Sequence, residues 1–247
     1  MDEPQNESLS LYLSAEHPCG YLPGRQARSL FVDPDARLHP GIYGTLLAYG
    51  FRRSGGLVYR PRCDDCQACV PVRVPVARFR PRRSQRRVWK QTPGLQIRER
   101  AAIFHPEHYR LYCRYILDRH PDGEMATLSE QRYLAFLTCD WCDTRFVEFR
   151  LADGRLLAVA VTDRIPGALS AVYTFFDPDL ARLSPGVLAI LWQIQAARDQ
   201  GRTWLYLGYW VAGCRKMRYK TDYRPIQTLR AGRWLEWGPG QAVPAGE

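Results

Sequence analysis

Residues 184–210 read SPGVLAILWQIQAARDQGRTWLYLGYW, a pattern that predicts a helix followed by a strand. Ser184 suits the N-cap, Pro185 suits the first helical position, and Gly201 suits the end of the helix. The apolar residues of the helix share one face, formed by Val187, Leu188, Leu191 and Ile194. TWLYLGYW is rich in the aromatic residues that strands favour, so it predicts the next strand of a sheet.

The segments before this helix predict two further helices and a run of strands. Three strand-like segments, TRFVEFRL, RLLAVAVTDR and ALSAVYTFF, are separated by the turn signals ADG and IPGA. Before them, HPEHYRLYCRYILDRH predicts an aromatic-faced helix. EQRYLAFLTC predicts a second helix, with Thr127 and Glu130 as a capping box. Nearer the N-terminus, PGIYGTLLAYG predicts a short helix between Pro40 and Gly50, and GGLVYRP predicts a strand.

This order of elements resembles the acyltransferase fold of the N-acetyltransferase superfamily. The resemblance implies an α+β class, with a GNAT-like mixed sheet, flanking helices and a smaller N-terminal domain. In that superfamily a (Q/R)-x-x-G-x-(G/A) loop holds the pyrophosphate of coenzyme A. The equivalent RLSPGVLA has only Gly186, next to a proline without an N–H group, which argues against a coenzyme A donor. The expected divisions are a flexible tail at 1–8, an N-terminal domain with a cysteine loop at 9–76, a basic connecting segment at 77–100, an acyltransferase-like domain at 101–237 and a flexible tail at 238–247.

Length and composition indicate a globular protein without a membrane span. The chain has 247 residues, of which 46% are hydrophobic, and it has no run of 18 apolar residues. The segment MDEPQNESLS lacks the basic and apolar regions of a signal peptide, so we expect a cytoplasmic protein. In that compartment the eight cysteines are expected as thiols or metal ligands before disulfides.

The positive charge is concentrated in the first 100 residues, which hold 17 basic residues against 9 acidic ones. This asymmetry, within a formal net charge of +10, indicates a polyanionic partner, most simply nucleic acid. The stretch RFRPRRSQRRVWK, residues 78–90, combines seven positive charges with Phe79 and Trp89, which are candidates to stack on bases. The alternative is a solvated linker. The predicted RNA-binding residues are Arg78, Arg80, Arg82, Arg83, Arg86, Arg87 and Lys90.

Three cysteines at equal spacing in YRPRCDDCQACVPVR, residues 59–73, raise the question of a metal site. Tetrahedral zinc needs four ligands, so a fourth would come from a distant segment. The candidate ligands for a structural zinc ion or an iron–sulfur cluster are Cys19, Cys63, Cys66 and Cys69, with His17 as the alternative to Cys19. The competing interpretation is a loop that closes the N-terminal domain by packing alone.

Five motifs in this order resemble the bacterial aspartate/glutamate leucyltransferases of the arginyl-tRNA–protein transferase family. They are CGYLPGRQARSLFVDP, YRPRCDDCQACVPVR, FRPRRSQRR, SAVYTFFDPD and YLGYWVAGCRKMRYKTDYRP, and the resemblance covers about residues 10–237. It implies an aminoacyltransferase that moves leucine from leucyl-tRNA to the N-terminal α-amine of proteins starting with Asp or Glu, which marks them for degradation. The basic stretch would then contact tRNA phosphates. Leu22 stands where eukaryotic relatives have the second cysteine of CGYC, and this departure weakens the metal site.

The implied reaction needs a pocket for an acidic acceptor but no required cofactor. An aminoacyl ester is already activated, and an α-amine with a pKa of about 7.7–8.0 is partly neutral at pH 7. The acceptor carboxylate requires cations, and lysine is rare here, with three among 35 basic residues. The candidates for that carboxylate are Lys216, Arg218 and Lys220. The catalytic candidates are Tyr173, Tyr209, Lys216 and Tyr219; for the tyrosines the alternative is core packing.

Three other functions stay open from the residues. One is arginyl transfer within the same family, which a comparison of leucyl- and arginyl-tRNA as donors would separate. Another is a coenzyme A-dependent N-acetyltransferase, which the poor pyrophosphate loop argues against. The third is a non-enzymatic zinc-containing RNA-binding module, which would bind RNA without turnover.

Overall fold

The computed structural model describes residues 8–119 and 129–246. Its strands, numbered in chain order, are β1 (Leu11–Leu13), β2 (His17–Pro18), β3 (Gln26–Ala27), β4 (Ser29–Val32), β5 (Arg52–Ser54), β6 (Leu57–Pro61), β7 (Val70–Pro75), β8 (Gln96–Ala101), β9 (Asp143–Arg150), β10 (Leu156–Ile165), β11 (Ala168–Phe176), β12 (Trp204–Trp210), β13 (Ile226–Arg230) and β14 (Arg233–Trp237). Its helices are α1 (Pro40–Ala48), α2 (Arg83–Lys90), α3 (Pro106–Arg119), α4 (Glu130–Leu137) and α5 (Pro185–Asp199). Two 3-10 turns span Pro178–Leu183 and Arg218–Asp222.

Eight strands form one mixed sheet in the order β14-β13-β7-β12-β11-β10-β9-β8. Neighbouring strands are antiparallel, except that β11 and β12 run parallel. A parallel pair cannot be joined by a tight hairpin, and the crossover between these two strands contains α5. The mixed sheet with flanking helices agrees with the predicted α+β class.

The helices cover opposite faces of this sheet because side chains alternate along a strand. On β10, Ala158 and Ala160 pack in one cluster with Leu188 of α5. The alternate residues Val159 and Val161 pack in another cluster with buried residues of α3 and α4. The alanines of β10 thus face α5, and its valines face α3 and α4. Because helices cover it on both faces, β10 lies in the centre of the core.

A second sheet, in the order β1-β4-β6-β5, packs with α1 against the large sheet. Tyr43 of α1 shares a core cluster with Ile165 and Tyr206 of the large sheet. Beside this cluster, Arg53 of β5 is fully buried and pairs with Asp163 of β10, with 2.6 Å between Nη2 and Oδ1. An ion pair thus joins the two sheets inside the core.

The predicted domain boundaries fall within a continuous sheet. β7 was expected in the N-terminal domain, yet it lies between β13 and β12 in the large sheet. β8, from the basic connecting segment, is the edge strand of the same sheet. Near the C-terminus, Arg230 donates hydrogen bonds to the carbonyl oxygens of Pro244 and Ala245, which places that segment beside β13. The division into separate domains stays a prediction.

The long periodic elements are confirmed: α1, α3, α4, α5, β6 and β9 to β12 occur where the sequence predicts them. Ser184 occupies the N-cap position of α5, as predicted. It has φ 54° and makes no side-chain capping bond, because N-cap side chains reach the helix from an extended backbone. Thr127 of the predicted capping box lies outside the described residues, and Ser129 caps α4 by accepting from Arg132 N. Within the part of the chain that the structure describes, no helix is long and apolar enough to cross a membrane.

A buried polar network joins α3 to β9. His108 Nε2 lies 2.8 Å from Glu148 Oε1, and both side chains are buried. Arg150 Nε donates to Glu148 Oε2 at 2.9 Å. Burial raises the pKa of Glu148, but the hydrogen bonds from Arg150 and His108 outweigh it and lower this pKa to about 2. Burial lowers the pKa of His108, against the opposing effect of Glu148.

Candidate active site

The two parallel strands of the large sheet separate partway along their length. β11 and β12 pair at Ala168–Trp204, Leu169–Leu205 and Ser170–Tyr206, and no later residues of these strands pair with each other. In the same region β12 shifts register against β7 between Tyr206 and Gly208. The main chain of β11 beyond Ser170 and that of β12 beyond Tyr206 therefore face a gap, which we call the strand cleft.

Arg52 enters the strand cleft from the small sheet. It precedes Arg53 on β5, so the two side chains point to opposite faces of the strand, and Arg53 is held by Asp163. Arg52 Nη2 donates to the carbonyl oxygen of Val172 on β11 at 3.1 Å. A Cβ atom added at Gly208 would lie 2.5 Å from Arg52 Nη1. The absence of a side chain at Gly208 thus leaves the space that the guanidinium occupies.

Lys220 reaches the opposite wall of the strand cleft. Its side chain is buried, with 5% of the residue exposed, and Nζ donates to the carbonyl oxygen of Tyr209 on β12 at 2.7 Å. Burial, and next the positive charge of Arg52, lower the pKa of Lys220 well below its ordinary value. The predicted cation is therefore inside the site, beside a second cation that the sequence analysis did not identify.

The other two predicted carboxylate ligands, Lys216 and Arg218, lie at the surface. Lys216 Nζ donates to the carbonyl oxygen of Arg119, the last residue of α3, at 3.1 Å. Arg218 begins the 3-10 turn that also carries Tyr219 and Lys220. The structure thus places one of the three predicted cations in the strand cleft and two outside it.

Tyr209 supports the wall of the cleft. The residue is 1% exposed, and its hydroxyl lies 2.9 Å from the carbonyl oxygen of Gly50 and 3.2 Å from that of Tyr59. A hydroxyl has a single proton to donate, so these two acceptors share it. Burial raises the pKa of Tyr209 well above its ordinary value. This geometry favours the packing role over proton transfer, and the catalytic role stays a prediction.

Tyr173 has the free hydroxyl that Tyr209 lacks. It follows Val172 on β11, and its hydroxyl oxygen is buried without a hydrogen-bond partner among the described residues. Its ring is packed edge-on by Tyr115 and Phe136, with centroid distances of 6.2 and 5.2 Å. Burial, and the neighbouring tyrosines including Tyr219, raise the pKa of Tyr173. A buried polar atom without a partner is costly, so this hydroxyl is suited to bind a ligand atom.

The cysteine loop borders a cavity of about 1270 Å³, which is also lined by Tyr209 and by residues of the small sheet and the C-terminal segment. Its cysteines are Cys19, Cys63, Cys66 and Cys69. Burial, followed by the other three thiols, raises the pKa of Cys69 to about 12. Within residues 8–119 and 129–246, no three or more His, Cys, Asp or Glu side chains are arranged to hold a metal ion. The four thiols share a cavity without forming a ligand set, and the predicted metal site stays a prediction.

The basic stretch includes a helix that the sequence analysis did not predict. All four basic residues of α2 are exposed, and only Gln85 and Val88 of this helix are buried. Two of the predicted RNA-binding residues have acidic partners: Arg78 pairs with Glu236, and Arg82 pairs with Asp222 at 2.8 Å. The stretch itself contains no acidic residue, so both partners come from distant segments.

The aromatic residues of the basic stretch differ in their exposure. Phe79 is buried, 3% exposed, and contacts Tyr223 with 6.2 Å between ring centroids. The prediction that it stacks on bases is wrong, because its ring belongs to the core. Trp89 is 43% exposed and keeps a face that a base can reach. Contact of tRNA with this surface stays a prediction.

Comparison with protein families identifies the class of protein. Residues 17–87 match the family model described as "Arginine-tRNA-protein transferase, N terminus", and residues 107–230 match "Arginine-tRNA-protein transferase, C terminus". The chain belongs to the arginine-tRNA-protein transferase family, as its motifs predict. The two matched regions together contain the cysteine loop, the first five residues of α2 and both walls of the strand cleft.

Individual relatives are similar over nearly the whole chain. An aspartate/glutamate leucyltransferase of Alkalilimnicola ehrlichii is 51% identical, over 92% of this chain and 95% of the relative. The enzyme of the same name from Alcanivorax borkumensis is 50% identical, over 93% and 94% of the two chains. Among solved structures, L-PGS from Bacillus licheniformis matches with a TM-score of 0.45 and 12% identity, over 57% of this chain and 45% of that one.

Proposed function

We propose that this protein is an aminoacyltransferase that moves leucine from leucyl-tRNA to the N-terminal α-amine of proteins beginning with Asp or Glu. The observation that carries this proposal is the identity of about half, over more than nine tenths of both chains, to relatives named aspartate/glutamate leucyltransferase. The modified proteins would thereby be marked for degradation. The reaction would take place in the cytoplasm, where aminoacyl-tRNA is available.

The reaction forms an amide bond and breaks an ester bond. The neutral α-amine attacks the leucyl carbonyl carbon, the C–O bond to the ribose breaks, and the amine proton passes to the departing ribose oxygen. Neither ATP nor a bound cofactor is needed, because the ester is already activated. Holding amine and ester together can supply about 7–11 kcal/mol of the barrier reduction. Binding geometry is therefore the main task of the site.

The strand cleft is the proposed place of the reaction. We infer that the antiparallel strands, followed by a helical crossover to a parallel strand that separates from its neighbour, form a GNAT-like acyltransferase fold. The buried hydroxyl of Tyr173 is suited to hydrogen-bond the oxyanion or the ribose oxygen. One such donor contributes about 3–4 kcal/mol in acyl-transfer enzymes. Lys216, which lies outside the cleft, and Tyr219, which shares the 3-10 turn of Lys220, stay as catalytic candidates.

The tRNA would approach along α2. Arg82 at the start of this helix pairs with Asp222, and Gln85 Nε2 donates to the carbonyl oxygen of Asp222 at 3.3 Å. Asp222 ends the 3-10 turn that also carries Lys220, so α2 contacts the turn that lines the strand cleft. A tRNA whose phosphates bind the exposed arginines of α2 would therefore have the strand cleft beside it.

A transfer assay tests the proposal. The acceptors are three peptides that begin with Asp, Glu or Ala and are otherwise identical. Each is incubated with leucyl-tRNA, arginyl-tRNA or acetyl-coenzyme A, and mass spectrometry identifies the products. We expect addition of leucine to the Asp and Glu peptides only. Addition of arginine or of an acetyl group would support one of the alternative enzymes, and tRNA binding without any product would support a binding module.

A further inference from the structure

Two basic side chains in the strand cleft have no acidic partner among residues 8–119 and 129–246. Arg52 makes one hydrogen bond, to the carbonyl oxygen of Val172, and Lys220 makes one, to the carbonyl oxygen of Tyr209. Among the residues that the structure describes, neither forms an ion pair with a carboxylate. Arg53, the neighbour of Arg52, is instead paired with a carboxylate, as buried arginines usually are. Its Nη2 lies 2.6 Å from Asp163 Oδ1.

Buried or partly buried positive charge without a counter-ion favours binding of an anion. Removing a cation from water is costly unless a negative group with good hydrogen-bond geometry replaces the water. A guanidinium has five N–H groups in a planar fork, and Arg52 uses one of its terminal nitrogens for Val172. Lys220 has three N–H groups and uses one. Among the described residues, both side chains therefore keep N–H groups that no protein acceptor uses.

We infer that Arg52 and Lys220 bind the side-chain carboxylate of the acceptor's N-terminal Asp or Glu, and that Arg52 is the residue that selects for it. This inference rests on the proposed function and deepens it. It also changes the acceptor site expected from the sequence, because Lys216 and Arg218 lie at the surface whereas Arg52 lies in the cleft.

The placement of the two cations fits the acceptor's covalent structure. In an N-terminal Asp the carboxyl carbon is separated from the α-amine by only two carbon atoms, so its pocket must adjoin the reacting atoms. Arg52 is held by Val172, whose neighbour Tyr173 has the unpartnered hydroxyl. Lys220 is held by Tyr209 on the facing strand. The pair thus binds to the main chain of both strands of the cleft, and the acceptor of Arg52 directly precedes Tyr173 in sequence.

The selectivity of an Arg52→Gln variant tests this role. Peptides beginning with Asp and with Asn, otherwise identical, are compared by kcat/KM for leucine transfer. Loss of a hydrogen bond between charged groups ordinarily costs roughly 10- to 100-fold, so we expect the Asp-to-Asn ratio to fall by about that factor. Arg52→Lys, which keeps the charge, should retain part of the ratio. Arg155→Gln, which removes an exposed arginine in the turn between β9 and β10, should leave the ratio unchanged.

Arginine and lysine bind phosphate as well as carboxylate, so leucyl-tRNA binding must be measured beside the Asp-to-Asn ratio. If the cations instead bind a phosphate of the tRNA, Arg52→Gln will weaken leucyl-tRNA binding and lower transfer to both peptides equally; that result overturns the inference. An unchanged ratio in a folded variant also overturns it. If thermal unfolding shows that Arg52→Gln does not fold, the Asp-to-Asn ratio of kcat/KM is measured for Lys220→Met instead. A fall in that ratio supports the inference, and an unchanged ratio overturns it. A wild-type protein that transfers nothing to any peptide contradicts the proposed function, which keeps the two failures distinct.

Discussion

The buried ion pair between the two sheets allows a demanding test of the fold. We consider Asp163→Asn, which keeps the size of the side chain and removes its charge. Arg53 is 1% exposed, and Asp163 accepts from its Nε and Nη2, each at 2.6 Å. Thr144 Oγ1 donates to the same carboxylate at 2.7 Å. The substitution therefore leaves a fully buried guanidinium without a counter-charge.

The expected loss of stability follows from that burial. Removing one partner of a buried ion pair costs about 3–5 kcal/mol, because the remaining charge stays desolvated. In a chain of this size, each kcal/mol lowers the melting temperature by about 2–4 °C. We therefore expect Asp163→Asn to lower it by roughly 6–20 °C, measured by circular dichroism or calorimetry.

Two further variants show whether the cost comes from unpaired charge. Asp153→Asn removes the carboxylate of an exposed pair with Arg155, so its effect on the melting temperature should be small. The double variant Arg53→Met/Asp163→Leu replaces both charges by apolar groups and should recover much of the loss. A melting temperature for Asp163→Asn equal to that of Asp153→Asn would refute the assignment of this pair as a buried link between the sheets.

Three other perturbations have expected outcomes. Reversing charge with Arg83→Glu/Arg87→Glu should weaken leucyl-tRNA binding and flatten its salt dependence, and unchanged binding in a salt titration would make α2 an ordinary surface helix. Tyr173→Phe should lower kcat by about 10²- to 10³-fold with KM nearly unchanged, and an equal kcat would contradict its role in the strand cleft. Because the pKa values of His108 and Glu148 are both lowered in the folded protein, each group binds protons more readily when unfolded. The free energy of unfolding should therefore fall as the pH drops below about 6.5, because of His108, and fall again between about pH 4.3 and 2, because of Glu148. Denaturant unfolding at a series of pH values measures this free energy. A value that stays constant down to pH 3 would contradict the prediction.

The elements that the sequence predicts correctly are those whose pattern is local. α5 has an apolar face, a proline at its start and a glycine after its end, and β9 to β11 have turn signals between them. β7 has no such signal, because Pro71 and Pro75 argue against a central strand. The structure accommodates these prolines because β13 pairs with β7 only at Val72 and Arg73. That arrangement depends on a strand more than 150 residues away in sequence, so no local pattern reports it.

The same limit explains why the candidate site was predicted only in part. The rarity of lysine is a property of the sequence, and it pointed to Lys220. Nothing local distinguishes Arg52 from Arg53, which stand side by side in GFRRSGG. Their difference arises because alternate faces of β5 meet different distant groups: a carboxylate 110 residues away for Arg53, and a main-chain carbonyl 120 residues away for Arg52. One arginine is neutralised within the protein and the other is not, and the proposed acceptor site depends on that difference.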